Sequence, residues 1–204
     1  MPEIKNDHYY SKSPKSKLNV KQTTIQLKNG HIYKFKSPSG VFAYGKANRA
    51  TECFLNNVKI TGKDLLDLGC GYGTVGIVTL KENPFIRLFM SDINERAVRF
   101  AKENALNYNL EVEIKSGHLF EPWKDYMFDM IFFNPPLAAG KEVWMDAVKC
   151  SYSHIRENGT IQIVAYHNKG GKRIMTYMKE VFSNVKTLVK SGGIRVYLSE
   201  RLKQ

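Results

Sequence analysis

A doubly wound α/β fold, with a mostly parallel sheet covered by helices on both faces, is predicted by three features of this 204-residue chain. From about Thr61 onward, short apolar runs alternate with longer stretches of helical period. A glycine-rich loop follows the first of those runs and opens a helix. The fourth run ends in Asn134-Pro135-Pro136-Leu137, on the carboxyl edge where open α/β sheets bind ligands.

The segment from Met1 to Ser16 is polar and Lys/Ser-rich apart from His8, Tyr9 and Tyr10, and is expected to cover the body loosely with partial disorder. Residues 24–35 alternate apolar and polar around Asn29-Gly30, which predicts a hairpin closed by a two-residue type I′ turn. After the Ser37-Pro38-Ser39-Gly40 break, residues 47–56 read as a short helix. Residues 1–60 are therefore read as an N-terminal extension packed on a main domain, 61–204. In that domain strands are expected near 64–68, 86–91, 111–115, 127–133 and 160–166. Helices are expected near 74–82, 95–108, 141–156 and 171–182. In the third of these, Val143, Ala147, Val148, Tyr152 and Ile155 mark one buried face. The runs at 185–190 and 194–199 flank Ser191-Gly192-Gly193 and suit a terminal hairpin.

The 43% hydrophobic content is enough for one core. The formal charge of +12 is compatible with a polyanionic partner. Cys53, Cys70 and Cys150 show neither disulfide nor zinc spacing and fit thiols in a reducing compartment, so no metal site is expected. No apolar stretch approaches the roughly 20 residues of a membrane-spanning helix, and a cytoplasmic protein is expected.

Asp67-Leu68-Gly69-Cys70-Gly71-Tyr72-Gly73 places an acid at the end of a buried strand, then a GxGxG loop whose backbone can lie against a ligand. A dinucleotide would bring a pyrophosphate to the following helix, whereas S-adenosylmethionine brings a sulfonium and an ammonium that a carboxylate such as Asp67 suits. S-adenosylmethionine is the expected cofactor. In Ser91-Asp92-Ile93-Asn94, Asp92 has two readings: ligand of both ribose hydroxyls, favoured by its place 19 residues after Gly73, or N-cap of the next helix.

The two prolines after Asn134 remove two N–H donors, leaving the Asn134 side-chain oxygen and the Pro135 carbonyl as acceptors. An exocyclic amine is a poor nucleophile because its lone pair is delocalised into the ring. Accepting its two hydrogens favours a pyramidal nitrogen with the lone pair aimed at a methyl donor. Asn134, Pro135, Pro136 and Leu137 are thus the expected catalytic residues for amino-nitrogen methylation. A purely structural Asn-Pro-Pro turn is the competing reading.

These motifs resemble class I methyltransferases, specifically the methyltransferase small-domain family, which includes ribosomal RNA guanine-N2 methyltransferases. His8-Tyr-Tyr-Ser11, Ser39-Gly-Val-Phe-Ala-Tyr-Gly-Lys46, Ala139-Gly-Lys-Glu-Val143 and Ser191-Gly-Gly-Ile-Arg-Val196 extend the resemblance along the chain. It implies a seven-stranded sheet whose last strand is antiparallel, and a segment Gly40 to Lys46 that closes the cofactor pocket with Phe42, Tyr44 and Lys46 as secondary site residues. The implied cofactor-binding set is Asp67, Gly69, Cys70, Gly71, Gly73, Asp92, Ile93, His118, Leu119 and Asn134. His118 stands in Gly117-His118-Leu119-Phe120 where many class I members carry an acid for the adenine amine; it is either that acceptor or a surface histidine. Leu137 replaces the aromatic residue common in adenine-N6 and protein-glutamine methyltransferases, which favours guanine in ribosomal RNA. Adenine N6, a protein glutamine, a small amine, or a non-catalytic RNA-binding role are the alternatives. Trp144 is either a stacking surface or core. Lys15, Lys17, Lys34, Lys36, Lys141, Lys172 and Arg173 are a population from which RNA contacts could come, and a monomer or homodimer is expected.

Overall fold

The computed structural model describes residues 12–203, so the expectations for His8, Tyr9, Tyr10 and the rest of residues 1–11 lie outside the described residues. A hairpin of β1 (Val20–Gln26) and β2 (Ile32–Pro38) leads to α1 (Arg49–Leu55). Then follow β3 (Asp64–Leu68), α2 (Thr74–Glu82), β4 (Arg87–Asp92), α3 (Glu95–Asn107), β5 (Glu113–Ser116) and β6 (Phe128–Phe133). The chain closes with α4 (Lys141–His154), β7 (Ile155–Tyr166), α5 (Gly171–Phe182), β8 (Lys186–Ser191) and β9 (Ile194–Glu200). The seven-stranded sheet runs β5-β4-β3-β6-β7-β9-β8, with β9 antiparallel to both neighbours and the other pairings parallel. The order reverses between β3 and β6, which opens a crevice at their carboxyl ends.

Both faces of the central strands are covered, so their leucine, isoleucine, methionine and phenylalanine side chains are buried on each side, with Asp64, Asp67 and Asp129 the charged exceptions in β3 and β6. Successive residues point to opposite faces: Leu65 and Phe132 pack with Ile77 and Phe100 from α2 and α3, while Leu66 and Ile131 pack with Val148 and Ile174 from α4 and α5. Trp144 belongs to the second of these clusters and meets Tyr177 edge to face at 5.9 Å, so it is a core residue and no stacking surface.

Ile25, Tyr33 and Phe35 of the hairpin share the first cluster, against α3. Buried Asn104 fixes that contact: its Oδ1 accepts from the Lys36 N–H at 2.9 Å, and its Nδ2 donates to the carbonyls of Lys36 and Tyr72. The turn differs from expectation. Leu27 pairs with His31 around a three-residue loop, Lys28-Asn29-Gly30, in which only Gly30 has positive φ. This is the hairpin class with a glycine bulge.

Lys12 to Ser16, expected to lie loosely, is held to the start of α3. The Glu95 N–H donates to the Lys12 carbonyl, and the Arg96 guanidinium donates to the carbonyls of Pro14 and Ser16. The expected helix over 141–156 stops at His154. Arg156 turns out instead to meet Asp64 and Asp129, each at 2.9 Å, and Asn158 is left-handed at φ 63° within β7. Among the described residues no helix is long and apolar enough to cross a membrane.

Candidate active site

The glycine loop is fastened to the end of β4. The Cys70 N–H donates to the Ser91 carbonyl at 2.9 Å, and the Gly71 N–H donates to Asp92 Oδ2 at 2.8 Å, joining the carboxyl ends of β3 and β4. Gly73 caps α2 at φ 92° without a side chain to satisfy the first-turn amides. Asp67, 3% exposed at the end of β3, supplies that acceptor through Oδ2 to the Gly76 N–H at 2.8 Å. A Cβ on Gly73 would stand 2.8 Å from Ile77 Cδ1 and 3.4 Å from the Ala101 Cβ, in addition to the left-handed strain. Gly73→Ala is therefore expected to cost about 1–3 kcal/mol and lower Tm by several degrees in a thermal melt; an unchanged Tm would show that the loop is free to rearrange.

Asp92 is no helix cap. Asn94 caps α3, its Oδ1 accepting from the Arg96 and Ala97 N–H groups at 3.0 and 3.1 Å. Asp92 instead gathers amides at the crevice, with Oδ1 accepting from Asn94 N–H at 2.8 Å and Oδ2 from Gly71.

Asp67 and Asp92 face one cavity of about 220 Å³, at the carboxyl ends of β3, β4 and β6. Of the residues expected from sequence, Gly69, Cys70, Gly71, Ile93, His118, Leu119, Asn134, Pro135 and Pro136 also line it. Gly73 and Leu137 do not: Gly73 is packed behind the loop, and Leu137 lies against Gly170. From the segment before α1, Val41, Phe42 and Ala43 form the opposite wall, but Tyr44 and Lys46 do not reach it. Tyr44 lies under the Lys21 ammonium, 4.9 Å from its ring centroid. His118 is exposed, with its backbone N–H donating to Glu121 Oε2. Leu119 adopts φ 47°, a strained conformation for a leucine, at the cavity wall.

Sequence reasoning missed Asn48, Thr51 and the Ser91 hydroxyl. Asn48 caps α1, accepting from the Ala50 and Thr51 N–H groups, and Asn48 and Thr51 both line the cavity. An N-cap signal was present, but not its place in the fold. The Ser91 Oγ is buried and has no hydrogen-bond partner among the described residues.

Burial pushes the Asp67 carboxyl up to about 7, against the Gly76 hydrogen bond and with help from the Asp92 charge. Burial likewise pushes Asp92 up to about 6, against the amides of Asn94, Gly71 and Ile93. Neither forms an ion pair with any described residue. Two carboxylates without countercharge suit a ligand bearing cationic centres and repel a pyrophosphate, so the cavity fits S-adenosylmethionine. Because both groups bind protons more tightly folded than unfolded, the ligand-free protein holds extra protons between about pH 4 and 7 and loses stability as pH rises through that window. A cationic ligand favours the ionised forms. Tm of the ligand-free protein should thus decline from about pH 5 to 8 while cofactor affinity rises, as melts and calorimetry across that range would read. A pH-independent affinity would count against both carboxylates facing the ligand.

The acceptor corner lies at the end of β6. The Asn134 carboxamide has no hydrogen-bond partner among the described residues, although it lines the cavity. The Pro135 carbonyl, expected to be wholly available, already accepts the Leu137 N–H at 2.9 Å. Pro136 at φ −75° and ψ 78° closes this inverse γ-turn. One of its two lone pairs remains. The next carbonyl, Pro136, accepts from Ala139 at 2.8 Å. The corner therefore presents acceptors and no backbone N–H from residues 135–137.

Fold and site together define the class: the chain belongs to the methyltransferase small domain family, matched over residues 32–198, and is an S-adenosylmethionine-dependent methyltransferase. It is 28% identical over 201 residues to the uncharacterized protein YbxB of Bacillus subtilis, covering 97% of this chain and 100% of that one. It is 29% identical over 188 residues to ribosomal RNA small subunit methyltransferase C of Psychromonas ingrahamii, covering 88% of this chain but 49% of the relative. It thus spans all of YbxB and about half of the ribosomal RNA methyltransferase. Among solved structures, the T. thermophilus 16S rRNA N2 G1207 methyltransferase (RsmC), in complex with AdoMet and guanosine, matches with a TM-score of 0.76. Its identity is 20%, over 92% of this chain and 52% of that one.

Proposed function

We propose that this chain methylates an exocyclic amino nitrogen of a base in RNA, with guanine N2 of ribosomal RNA as the favoured acceptor. The observation that carries this reading is the unpartnered Asn134 carboxamide, held beside two prolines at the rim of a cavity with two carboxylates. The name of the methyltransferase C relative and the guanosine in the RsmC complex support the choice of ribosomal RNA and guanine.

Asp67 and Asp92 would hold the cofactor, Asp92 through the ribose and Asp67 near the charged end, with Gly69 to Gly71 admitting it closely. Bound there, S-adenosylmethionine supplies a methyl group made electrophilic by a positively charged sulfur. Asn134 Oδ1 and the free lone pair of the Pro135 carbonyl accept the two hydrogens of the amine, holding its lone pair out of conjugation with the ring. The prolines keep competing donors away. The surplus proton on the product nitrogen leaves to water. In this reading residues 1–60 act as the cover that brings Val41 to Ala43 over the cavity and 61–204 as the catalytic domain, working in the cytoplasm.

The test is incubation with methyl-labelled S-adenosylmethionine and unmodified ribosomal RNA, followed by digestion to nucleosides. Label in N2-methylguanosine is the expected result. Label in N6-methyladenosine overturns the base, and label in protein alone overturns RNA as the acceptor.

A further inference from the structure

The chain's eight arginines fall into two groups. Arg87 and Arg156 pair with Asp64, and Arg99 pairs with Glu103. Arg96 donates to the carbonyls of Pro14, Ser16 and Ser39, and Arg201 to that of Ile155. The guanidinium groups of Arg49 and Arg173 have no hydrogen-bond or ionic partner among the described residues, and that of Arg195 has only the adjoining Ile194 carbonyl. These three lie at the carboxyl edge of the sheet, on the half formed by β6 to β8.

A chain of contacts joins them to the acceptor corner. A Cβ on Gly192 would stand 3.3 Å from an Nη of Arg49, whose neighbours Asn48 and Thr51 line the cavity. The Gly193 carbonyl, two residues before Arg195, accepts the His167 N–H at 2.9 Å. Gly170 then precedes α5 and would carry a Cβ 3.5 Å from Leu137. Arg173 is in α5, whose first turn has no acidic residue and whose N-terminus has no side-chain cap.

Cations in the first turn of a helix oppose its dipole, and clustered like charges repel. Among the described residues none of Arg49, Lys169, Lys172, Arg173 and Arg195 nevertheless pairs with a carboxylate. An external polyanion supplies the missing countercharge, and free guanidinium groups suit bidentate contact with phosphate. We propose that Arg49, Arg173 and Arg195, with Lys169 and Lys172, form the docking surface for the phosphate backbone around the acceptor nucleotide. The surface rests on the RNA reading above and directs the strand along the β6 to β8 half of the carboxyl edge.

The test is fluorescence anisotropy of a labelled single-stranded RNA against the full chain, from about 50 to about 200 mM salt. In the Arg49→Ala/Arg173→Ala/Arg195→Ala variant, affinity should fall about 10- to 100-fold and the slope of log affinity against log salt should shrink by about 2. Calorimetry should show unchanged S-adenosylmethionine binding, which also reports that the variant is folded. Should the triple variant not fold, each single variant is expected to reduce the slope by about 0.7. Lys63→Ala/Lys186→Ala, on the opposite edge, is the comparison. A triple variant that keeps wild-type affinity and slope, or a comparison pair that loses as much, overturns the surface while RNA labelling by the wild type leaves the acceptor reading standing. A wild type that neither binds nor labels RNA overturns both.

Discussion

Asn134→Ala lowers methyl transfer by about two to three orders of magnitude while S-adenosylmethionine affinity stays within about threefold. The side chain makes no hydrogen bond to the rest of the described structure, so its removal leaves no buried donor stranded and no packing void beyond a carboxamide. The whole effect falls on the amine, whose lone pair relaxes back into the ring when one of its two acceptors is missing. Single-turnover transfer of labelled methyl, with cofactor affinity from calorimetry and a thermal melt, separates the outcomes. Parallel loss of transfer, cofactor binding and Tm would make residues 134–137 a structural turn.

Asp92→Ala has the opposite signature: cofactor affinity falls by about 10- to 100-fold or more, and Tm falls with it. Its carboxylate accepts from the amides of Gly71 and Asn94 at 2.8 Å each, so truncation frees the glycine loop from β4 as well as deleting a ligand contact. Transfer measured at saturating cofactor recovers much more fully than in Asn134→Ala. If calorimetry found wild-type affinity, Asp92 would be a brace for the loop and no part of the cofactor site.

The sheet was legible because buried parallel strands have little alternative: Asp64–Leu68 and Phe128–Phe133 are too apolar for an exposed surface and too short for helices. The glycine loop and the Asn134 corner were legible because their chemistry is local. What could not be read was the choice between neighbours of similar chemistry. Asp92 and Asn94 are both short polar residues before α3, and only the Gly71 N–H, reaching from another strand end, assigns the cap to Asn94. Asn29-Gly30 announces a hairpin, but its register is set from outside by Asn104 holding Lys36, and this adds Lys28 to the loop. The helical period through Arg156 yields to the carboxylates of Asp64 and Asp129, which are remote in sequence. Proline composition shows which donors are missing, but not that the Leu137 amide turns back onto the Pro135 carbonyl.

That turn bears on how many methyl groups the product carries. With one lone pair of the Pro135 carbonyl committed to Leu137, the corner has one backbone oxygen and one carboxamide oxygen for the acceptor, a match for a primary amine with two hydrogens. A nitrogen already methylated once offers a single hydrogen, and one of the two oxygens then faces a methyl group it cannot bond. On the reading of Asn134 and Pro135 as acceptors, the corner suits a primary amine better than its methylated product, and monomethylated nucleoside is the expected end product of the labelling assay.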